Sequence, residues 1–288
     1  MLTENRFWVM SEDPHRTISI TSGKGGVGKS CIAYNLAVSI SRQGFKTLLV
    51  DTDFGLGSCS LLADTYSDFT LEDILLGKCQ PIDSLIECTS GLCVLPASSN
   101  GQRVDWLVGR NNKNIAKSLV DLERQFEVVI VDTPSGLGTS TIETAISTNS
   151  LVLTVTPDPT AIADAYASLK MLYARRKDLT VQLLVNMVES GREAENLQVK
   201  FTQLAHRFLG AQIENLGYIP MDRYVREGVK RQRPFATFEP APPAAMAIEL
   251  LATRWLSAQY VNSYSFFERV LMFDNTETSQ VTRPKVYS

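Results

Sequence analysis

Residues 23–30 read Gly-Lys-Gly-Gly-Val-Gly-Lys-Ser, which fits the phosphate-binding pattern G-x-x-x-x-G-K-[ST]. A β-branched run precedes the pattern at 17–21, and apolar residues at helical spacing follow it, so a strand, a loop and a helix are predicted in that order. In that arrangement backbone N–H groups bind phosphate oxygens, Lys29 reaches the β- and γ-phosphates, and the Ser30 hydroxyl binds Mg²⁺. A glycine-rich turn that arises by chance would not explain the Lys-Ser ending or both flanks. The predicted nucleotide-binding residues of the loop are Gly25, Gly26, Val27, Gly28, Lys29, Ser30 and Cys31.

Aspartates follow two apolar strands elsewhere in the chain. Asp51 and Asp53 come after the second predicted strand, and Asp132 comes after a later one. Because the carboxyl ends of parallel strands meet at one edge of a sheet, these side chains are predicted to lie beside the phosphate loop. Ser30, Asp51 and Asp132 are the predicted magnesium ligands, and Asp53 is predicted to orient the attacking water. For any single aspartate the alternative is a helix cap.

Strand and helix signals alternate between residues 16 and 258. Strands are predicted at 17–21, 46–50, 91–96, 127–131, 151–156, 181–185 and 213–219, and helices after the loop and at 70–76, 115–126, 161–175, 193–209 and 244–258. This alternation predicts an α/β fold, a single doubly wound and mostly parallel sheet with helices on both faces.

Composition and charge limit the remaining possibilities. The chain has 288 residues, a formal net charge of −3 and no apolar run of membrane-spanning length, so neither a transmembrane protein nor a globally basic nucleic-acid-binding protein is expected. The five cysteines form no C-x-x-C pair and the chain has two histidines, which predicts reduced thiols rather than a zinc site.

The chain is predicted to divide into a flexible leader at 1–15, one ATPase domain at 16–258, an amphipathic helix at 259–274 and a disordered tail at 275–288. In the third segment Tyr260, Tyr264, Phe267 and Leu271 fall at helical spacing, and Arg269 is its one cation. Such a helix either lies on a bilayer or packs on the body of the protein, and the sequence leaves both open.

The motifs together resemble the deviant Walker A ATPases of the MinD/ParA class, because Lys24 adds an early lysine to the phosphate loop. Other segments resemble one branch of that class, the FlhG/FleN family of flagellar number and placement regulators. These segments are Asp-Phe-Gly-Leu-Gly at 53–57, Thr-Leu-Glu-Asp-Ile at 70–74, Pro-Asp-Pro-Thr-Ala-Ile-Ala-Asp-Ala-Tyr at 157–166, Leu-Gly-Tyr-Ile-Pro-Met-Asp at 216–222 and Phe-Phe-Glu-Arg at 266–269. The chain departs from the family at Ser58, where asparagine is usual.

The resemblance implies roles for further residues. Lys24 would cross a dimer interface to reach the partner's nucleotide, which makes it a catalytic residue beside Lys29 and Asp53. Asn186 would bind the adenine edge, and Pro220 and Asp222 would line the base pocket. The alternatives are a strand-end turn for Asn186 and a helix cap for Asp222.

The function implied by the resemblance is a slow ATPase that regulates flagellar number and placement. Its homodimer would form with ATP and Mg²⁺ and would separate after hydrolysis. The expected partners are an FlhF-like GTPase, a flagellar switch or C-ring protein, or a flagellar transcription regulator. The expected location is the cytoplasm, with reversible contact at the inner face of the cell membrane.

Three other functions compete with this one. A MinD-type division-site ATPase would need a stronger membrane helix. A ParA-type DNA-segregation ATPase would bind DNA phosphates through five cations that lie within eleven residues, Arg223, Arg226, Lys230, Arg231 and Arg233. The favoured interpretation of these cations is a solvated face with weak or no nucleic-acid binding. An electron-transfer ATPase is set aside because residues 132–138 contain no cysteine to hold a shared cluster.

Overall fold

The computed structural model describes residues 16–54, 58–89, 91–98, 112–258 and 265–271. The strands are β1 (Arg16–Thr21), β2 (Thr47–Asp51), β3 (Ile86–Thr89), β4 (Leu92–Leu95), β5 (Val128–Asp132), β6 (Ser150–Val155), β7 (Thr180–Val188) and β8 (Ile213–Pro220). The α-helices are α1 (Lys29–Arg42), α2 (Ser58–Leu62), α3 (Leu71–Leu75), α4 (Lys113–Glu123), α5 (Thr139–Ile146), α6 (Pro159–Arg175), α7 (Gly191–Leu209), α8 (Arg223–Lys230), α9 (Pro243–Ser257) and α10 (Phe266–Leu271). Short 3-10 turns lie at Pro81–Ser84 and Phe235–Thr237.

The described strands form one eight-stranded sheet in the order β3-β4-β2-β5-β1-β6-β7-β8. Neighbouring strands are parallel except β3 and β4, which pair antiparallel at one edge. Strand β1, which leads into the phosphate loop, is central and lies between β5 and β6. The carboxyl ends of β2, β5 and β1 therefore open onto the same edge of the sheet, where a ligand site is expected.

Helices cover both faces of the sheet because the strands are apolar on both sides. Ile130 of β5 packs on one face with α1 and α9, whereas Val129 and Val131 pack on the other face with α3, α4 and α10. The second face continues under α5, α6 and α7 beside β6 and β7. Trp255 of α9 is fully buried, and its indole N–H donates to the Ser150 hydroxyl at 3.2 Å. The predicted doubly wound α/β fold is confirmed.

The predicted strands and helices are present, and their ends differ from the prediction by a few residues; β7, for example, extends to Val188. Strand β3 and helices α2 and α5 were not predicted from the sequence. Strand β3 has four residues and pairs on one side only, so its sequence signal is short. Helix α5 reads Thr-Ser-Thr-Ile-Glu-Thr-Ala-Ile, and its hydroxyl and β-branched residues have modest helix propensity, so packing stabilises it.

Of the predicted amphipathic helix at 259–274, the described part is α10, whose apolar side chains pack on α4. Phe266, Phe267 and Val270 are fully buried there. The buried Glu123 carboxylate at the end of α4 accepts hydrogen bonds from the backbone N–H groups of Phe266 (2.7 Å) and Phe267 (2.9 Å) and from the Ser265 hydroxyl (2.6 Å). The predicted leader at 1–15 and tail at 275–288 lie outside the described residues. None of the described helices has the length and apolar character needed to cross a bilayer.

Candidate nucleotide-binding site

The phosphate loop curls between β1 and α1 through two glycines. Gly26 has φ 82° and Gly28 has φ 88°, a left-handed conformation that glycine adopts without steric cost. The Gly28 carbonyl accepts from the Ile32 N–H at 2.9 Å and begins α1. The N-terminus of this helix therefore faces into the loop, which favours an anionic ligand such as phosphate.

Two elements that are distant in the sequence hold the two ends of the loop in place. A Cβ atom on Gly23 would lie 2.2 Å from the backbone carbonyl of Asp164 in α6, so only glycine fits at this contact. A Cβ atom on Gly28 would lie 2.6 Å from Asn186 Nδ2, and this amide also donates to the Val27 carbonyl at 2.7 Å. The loop shape thus depends on the first turns of α6 and on the end of β7.

The phosphate-loop lysine pairs with the aspartate that ends β5. Lys29 Nζ lies 2.7 Å from Asp132 Oδ1, and the side chains are 7% and 0% exposed. The same ammonium lies 3.4 Å from the Ser30 hydroxyl. Lys29, Ser30 and Asp132 therefore come together as predicted, and in this structure the lysine neutralises one of the predicted magnesium ligands.

Asp51 and Asp132 lie side by side at the ends of β2 and β5, where the register pairs them directly. Both are fully buried. Burial raises the pKa of Asp51 to about 7, and the charge of Asp132 adds to the shift; N–H donors from Cys59 and Asp53 and the Lys29 charge oppose it. Ser30, Asp51 and Asp132 supply the hard oxygen donors that Mg²⁺ prefers, so the residues present fit the predicted cation.

Cys59 of α2 also belongs to this cluster, although its place there was not predicted from the sequence. Its backbone N–H donates to Asp51 Oδ2 at 3.0 Å, and its thiol lies 3.5 Å from Asp132 Oδ2. One ligand atom from each of these three residues lies within 4.8 Å of the others. Burial, together with the charges of Asp51 and Asp132, raises the pKa of the Cys59 thiol well above its usual value, so it stays protonated as a packing group.

Asp53 occupies the rim of the cluster. Its backbone N–H donates to Asp51 Oδ1 at 2.9 Å, and its side chain is half-buried. The turn beyond it, including Gly55 and Gly57 of the predicted motif, lies outside the described residues. The water-orienting role of Asp53 therefore stays a prediction.

A cavity of about 120 Å³ adjoins the start of α1. It is lined in part by Gly28, Cys31, Asn186, Pro220 and Asp222, so the residues predicted around the base come together. The Asp222 carboxylate accepts from two backbone N–H groups, Tyr224 at 2.9 Å and Ala244 at 3.0 Å. Asp222 thus holds the first turns of α8 and α9, and its predicted role in base binding stays a prediction, like that of Asn186.

Lys24 lies away from the buried cluster, on the surface beside α6. Its ammonium donates to the Thr160 hydroxyl at 2.7 Å and lies 3.5 Å from Asp158 Oδ1. These two residues belong to the Pro-Asp-Pro-Thr turn at 157–160 that the sequence analysis singled out as a family motif without assigning a role to it.

Comparisons with known proteins agree with this geometry. The family described as ParA, NUBPL iron-transfer P-loop NTPase, matches residues 13–256. The chain belongs to the ParA family of P-loop NTPases. It is 32% identical over 244 residues to antiactivator FleN of Pseudomonas aeruginosa, covering 85% of this chain and 87% of FleN. It is 30% identical over 268 residues to the flagellum site-determining protein YlxH of Helicobacter pylori, covering 89% and 90%.

The solved structure of the cell division ATPase MinD of Pyrococcus furiosus superposes with a TM-score of 0.67 at 25% identity, covering 84% of this chain and 98% of MinD. The expected membership of the MinD/ParA class, in its FlhG/FleN branch, is confirmed. This ParA-family chain is an ATPase that binds nucleotide, and the loop described above is its P-loop.

Proposed function

We propose that this ATPase is a dimerisation switch that regulates flagellar number and placement. The observation that carries the proposal is Lys24, a second P-loop lysine whose side chain is 45% exposed beside the site. A lysine in that position is available to a second protomer, whereas Lys29 is 7% exposed and serves its own site. The similarity to FleN and YlxH, which spans most of each chain, supports the flagellar assignment.

The buried cluster suggests how nucleotide binding sets the switch. Lys29 leaves Asp132 for the phosphates, and Asp132, Ser30 and Asp51 are then the residues that would hold Mg²⁺. The chemistry that Mg²⁺ would supply there is neutralisation of the charge that develops on the transferred phosphoryl group. Asp53 at the rim orients the attacking water. Hydrolysis removes the γ-phosphate that the partner's Lys24 contacts, so the dimer separates.

Light scattering with ATP and Mg²⁺ tests the dimer. The parent chain should dimerise, and Lys24→Ala should bind nucleotide but stay monomeric, because Lys29 remains. Lys29→Ala is the matched control and should lose nucleotide binding itself. A normal ATP-dependent dimer of Lys24→Ala would remove the cross-interface role.

Flagellar regulation is tested in the source cell. Deletion should change the number or position of flagella seen by electron microscopy, and a Lys24→Ala copy should fail to restore them. A MinD-type role is the second candidate, favoured by the superposition on MinD; in that case deletion would displace division septa and leave flagella unchanged.

A pull-down with the ATP-locked Asp53→Ala variant identifies the partner, for which we propose an FlhF-like GTPase, a C-ring protein or a transcription regulator.

The basic helix α8 supports weak or no nucleic-acid binding. The Arg231 guanidinium pairs with Glu227 of the same helix, and that of Arg223 lies 5.0 Å from the centre of the Tyr224 ring. Pairing with Glu227 reduces the positive charge that Arg231 offers to phosphates, on which nonspecific binding depends. A salt-sensitive shift of nonspecific DNA in the presence of ATP would instead support the DNA-segregation function.

We also propose a cytoplasmic protein in which contact with a membrane requires α10 to leave α4. The described apolar side chains of α10, Phe266, Phe267, Val270 and Leu271, are buried in the docked helix. Co-sedimentation with vesicles of anionic lipid should therefore be absent with ADP and weak with ATP. Equal binding in both states would contradict this coupling.

A further inference from the structure

Lys24 has a defined binding place on its own protomer. Its ammonium donates to the Thr160 hydroxyl at 2.7 Å and faces Asp158 Oδ1 at 3.5 Å. Thr160 in turn donates to the same Asp158 oxygen at 2.7 Å. Lysine, threonine and aspartate thus form a chain of contacts in which the hydroxyl accepts from the cation and donates to the carboxylate. We call these three residues the Lys24 tether.

The carboxylate of the tether is fixed before Lys24 arrives. Asp158 caps α6 by accepting from the Ala161 N–H at 2.9 Å, and its second oxygen accepts from the Thr156 hydroxyl at 2.6 Å. These donors, with Thr160, hold the pKa of Asp158 well below its usual range. The acceptor is therefore a preorganised anion throughout the pH range in which the protein functions.

The tether is also rigidly connected to the P-loop. Gly23, next to Lys24, packs against the backbone of Asp164 so closely that a Cβ atom would lie 2.2 Å from it. The Ser22 hydroxyl donates to the Lys24 carbonyl at 2.9 Å. The backbone of Lys24 is thus held beside α6, while its side chain has rotatable bonds that can point toward the tether or toward a second protomer.

We propose that Asp158 and Thr160 are positioning residues that hold Lys24 on its own protomer and thereby set the ATP level at which the dimer forms. This inference rests on the proposed function, since Lys24 must leave the tether to reach the partner's nucleotide. An ammonium cannot occupy both places. The tether therefore competes with dimerisation and opposes association of protomers without bound ATP.

The expected size of the effect follows from symmetry. An exposed ion pair of this kind shifts an equilibrium by about two- to fivefold. Each dimer requires both protomers to release Lys24, so the fold-change for one protomer is squared in the dimer dissociation constant. At roughly threefold per protomer, loss of the tether should tighten the dimer about tenfold.

Asp158→Asn and Thr160→Val test the proposal. Asparagine keeps the helix cap and removes the charge, whereas valine removes the hydroxyl that binds Lys24 at nearly constant volume. Thr156→Val is the matched control, because it removes a hydroxyl from the same carboxylate without touching Lys24. Dimerisation is measured by light scattering against the concentration of AMPPNP with Mg²⁺, and nucleotide affinity is measured on dilute monomer.

The dimer dissociation constant should fall about tenfold in Asp158→Asn and Thr160→Val and stay unchanged in Thr156→Val, with unchanged monomer affinity for AMPPNP. An unchanged or higher dissociation constant in both tether variants overturns the proposal; a higher value would mean that Asp158 acts within the dimer. A purely structural effect would instead appear in the monomer affinity.

A second measurement does not depend on dimerisation. The rate at which an acylating reagent modifies Lys24 in the nucleotide-free monomer, read by peptide mass spectrometry, should rise two- to fivefold in the tether variants and not in Thr156→Val. If the parent stays monomeric with ATP, the proposed function fails while this rate still tests the tether. Equal rates of Lys24 modification in the parent and all variants would overturn the role of Asp158 and Thr160 and leave the proposed function untouched.

Discussion

Replacing Asp51 with asparagine should shift the stability of the nucleotide-free protein, relative to the parent, in favour of the variant as the pH rises. Asp51 is fully buried and lies directly opposite Asp132, which raises its pKa from 3.8 to about 7. Because the pKa of Asp51 is higher in the folded state than in the unfolded state, the stability that this group contributes is fully present below pH 3.8. That contribution is lost as the pH rises through about 7. Asparagine cannot ionise, so the variant avoids that loss.

The size of the change follows from proton linkage. With the unfolded pKa at 3.8 and the folded pKa at about 7, the parent loses about 2–3 kcal/mol of unfolding free energy between pH 5 and pH 8 through this group. The difference between Asp51→Asn and parent should grow by that amount over the same range. Groups common to both chains cancel in the comparison.

Urea denaturation at pH 5 and pH 8, with EDTA and without nucleotide, measures this difference. Asp53→Asn is the control for the loss of one carboxylate, since that side chain is half-buried at the rim and should not reproduce the effect. A gap between Asp51→Asn and parent that is the same at both pH values would refute the electrostatic reasoning. We also expect Asp51→Asn to need more Mg²⁺ for nucleotide binding, a cost in function beside the shift in stability.

Three further predictions concern the site and the C-terminal helix. Asp132→Ala should weaken Mg²⁺-dependent ATP binding, whereas Asp53→Ala should keep binding but slow hydrolysis by roughly 100-fold or more, as nucleotide titration and phosphate release will show. Glu123→Gln should destabilise the docking of α10 by about 1–3 kcal/mol, because a neutral amide oxygen replaces the carboxylate that caps it; hydrogen exchange of α10 measures the loss. Gly23→Ala should lower thermal stability and nucleotide binding, because a Cβ atom would clash with α6, whereas Gly25→Ala, whose nearest contact would be 3.6 Å, should fold normally.

The P-loop and the strand-end aspartates could be predicted because their signals are local. A strand, a glycine loop and a helix occupy one short stretch, and the rule that parallel strands share a carboxyl edge brings Asp51 and Asp132 together without further information. The structure adds their direct register and their full burial. Neither the register nor the burial can be predicted from the spacing of the aspartates in the sequence, because both depend on which strands become neighbours.

The rest of the site depends on contacts between residues far apart in the chain. Cys59 joins the carboxylates only because α2 returns to the ends of β2 and β5. Asn186 was predicted beside the base, and its amide donates to Val27 in the P-loop. Asp222 was predicted in the base pocket, and its oxygens hold two helix starts. A sequence pattern places such a residue near the site but does not say which hydrogen bonds it makes.

The same long-range contacts suggest how the ATPase transmits nucleotide binding to its surface. Lys29 is predicted to bind the phosphates, so we expect nucleotide binding to move its ammonium away from Asp132. The two ends of the P-loop are packed on Asp164 in α6 and on Asn186 at the end of β7. We expect a movement of the loop to reach α6, because Gly23, next to Lys24, packs directly against the backbone of Asp164. Asp158 and Thr160, which contact Lys24, lie at the start of the same helix, so we expect the buried lysine and the exposed one to be coupled through α6.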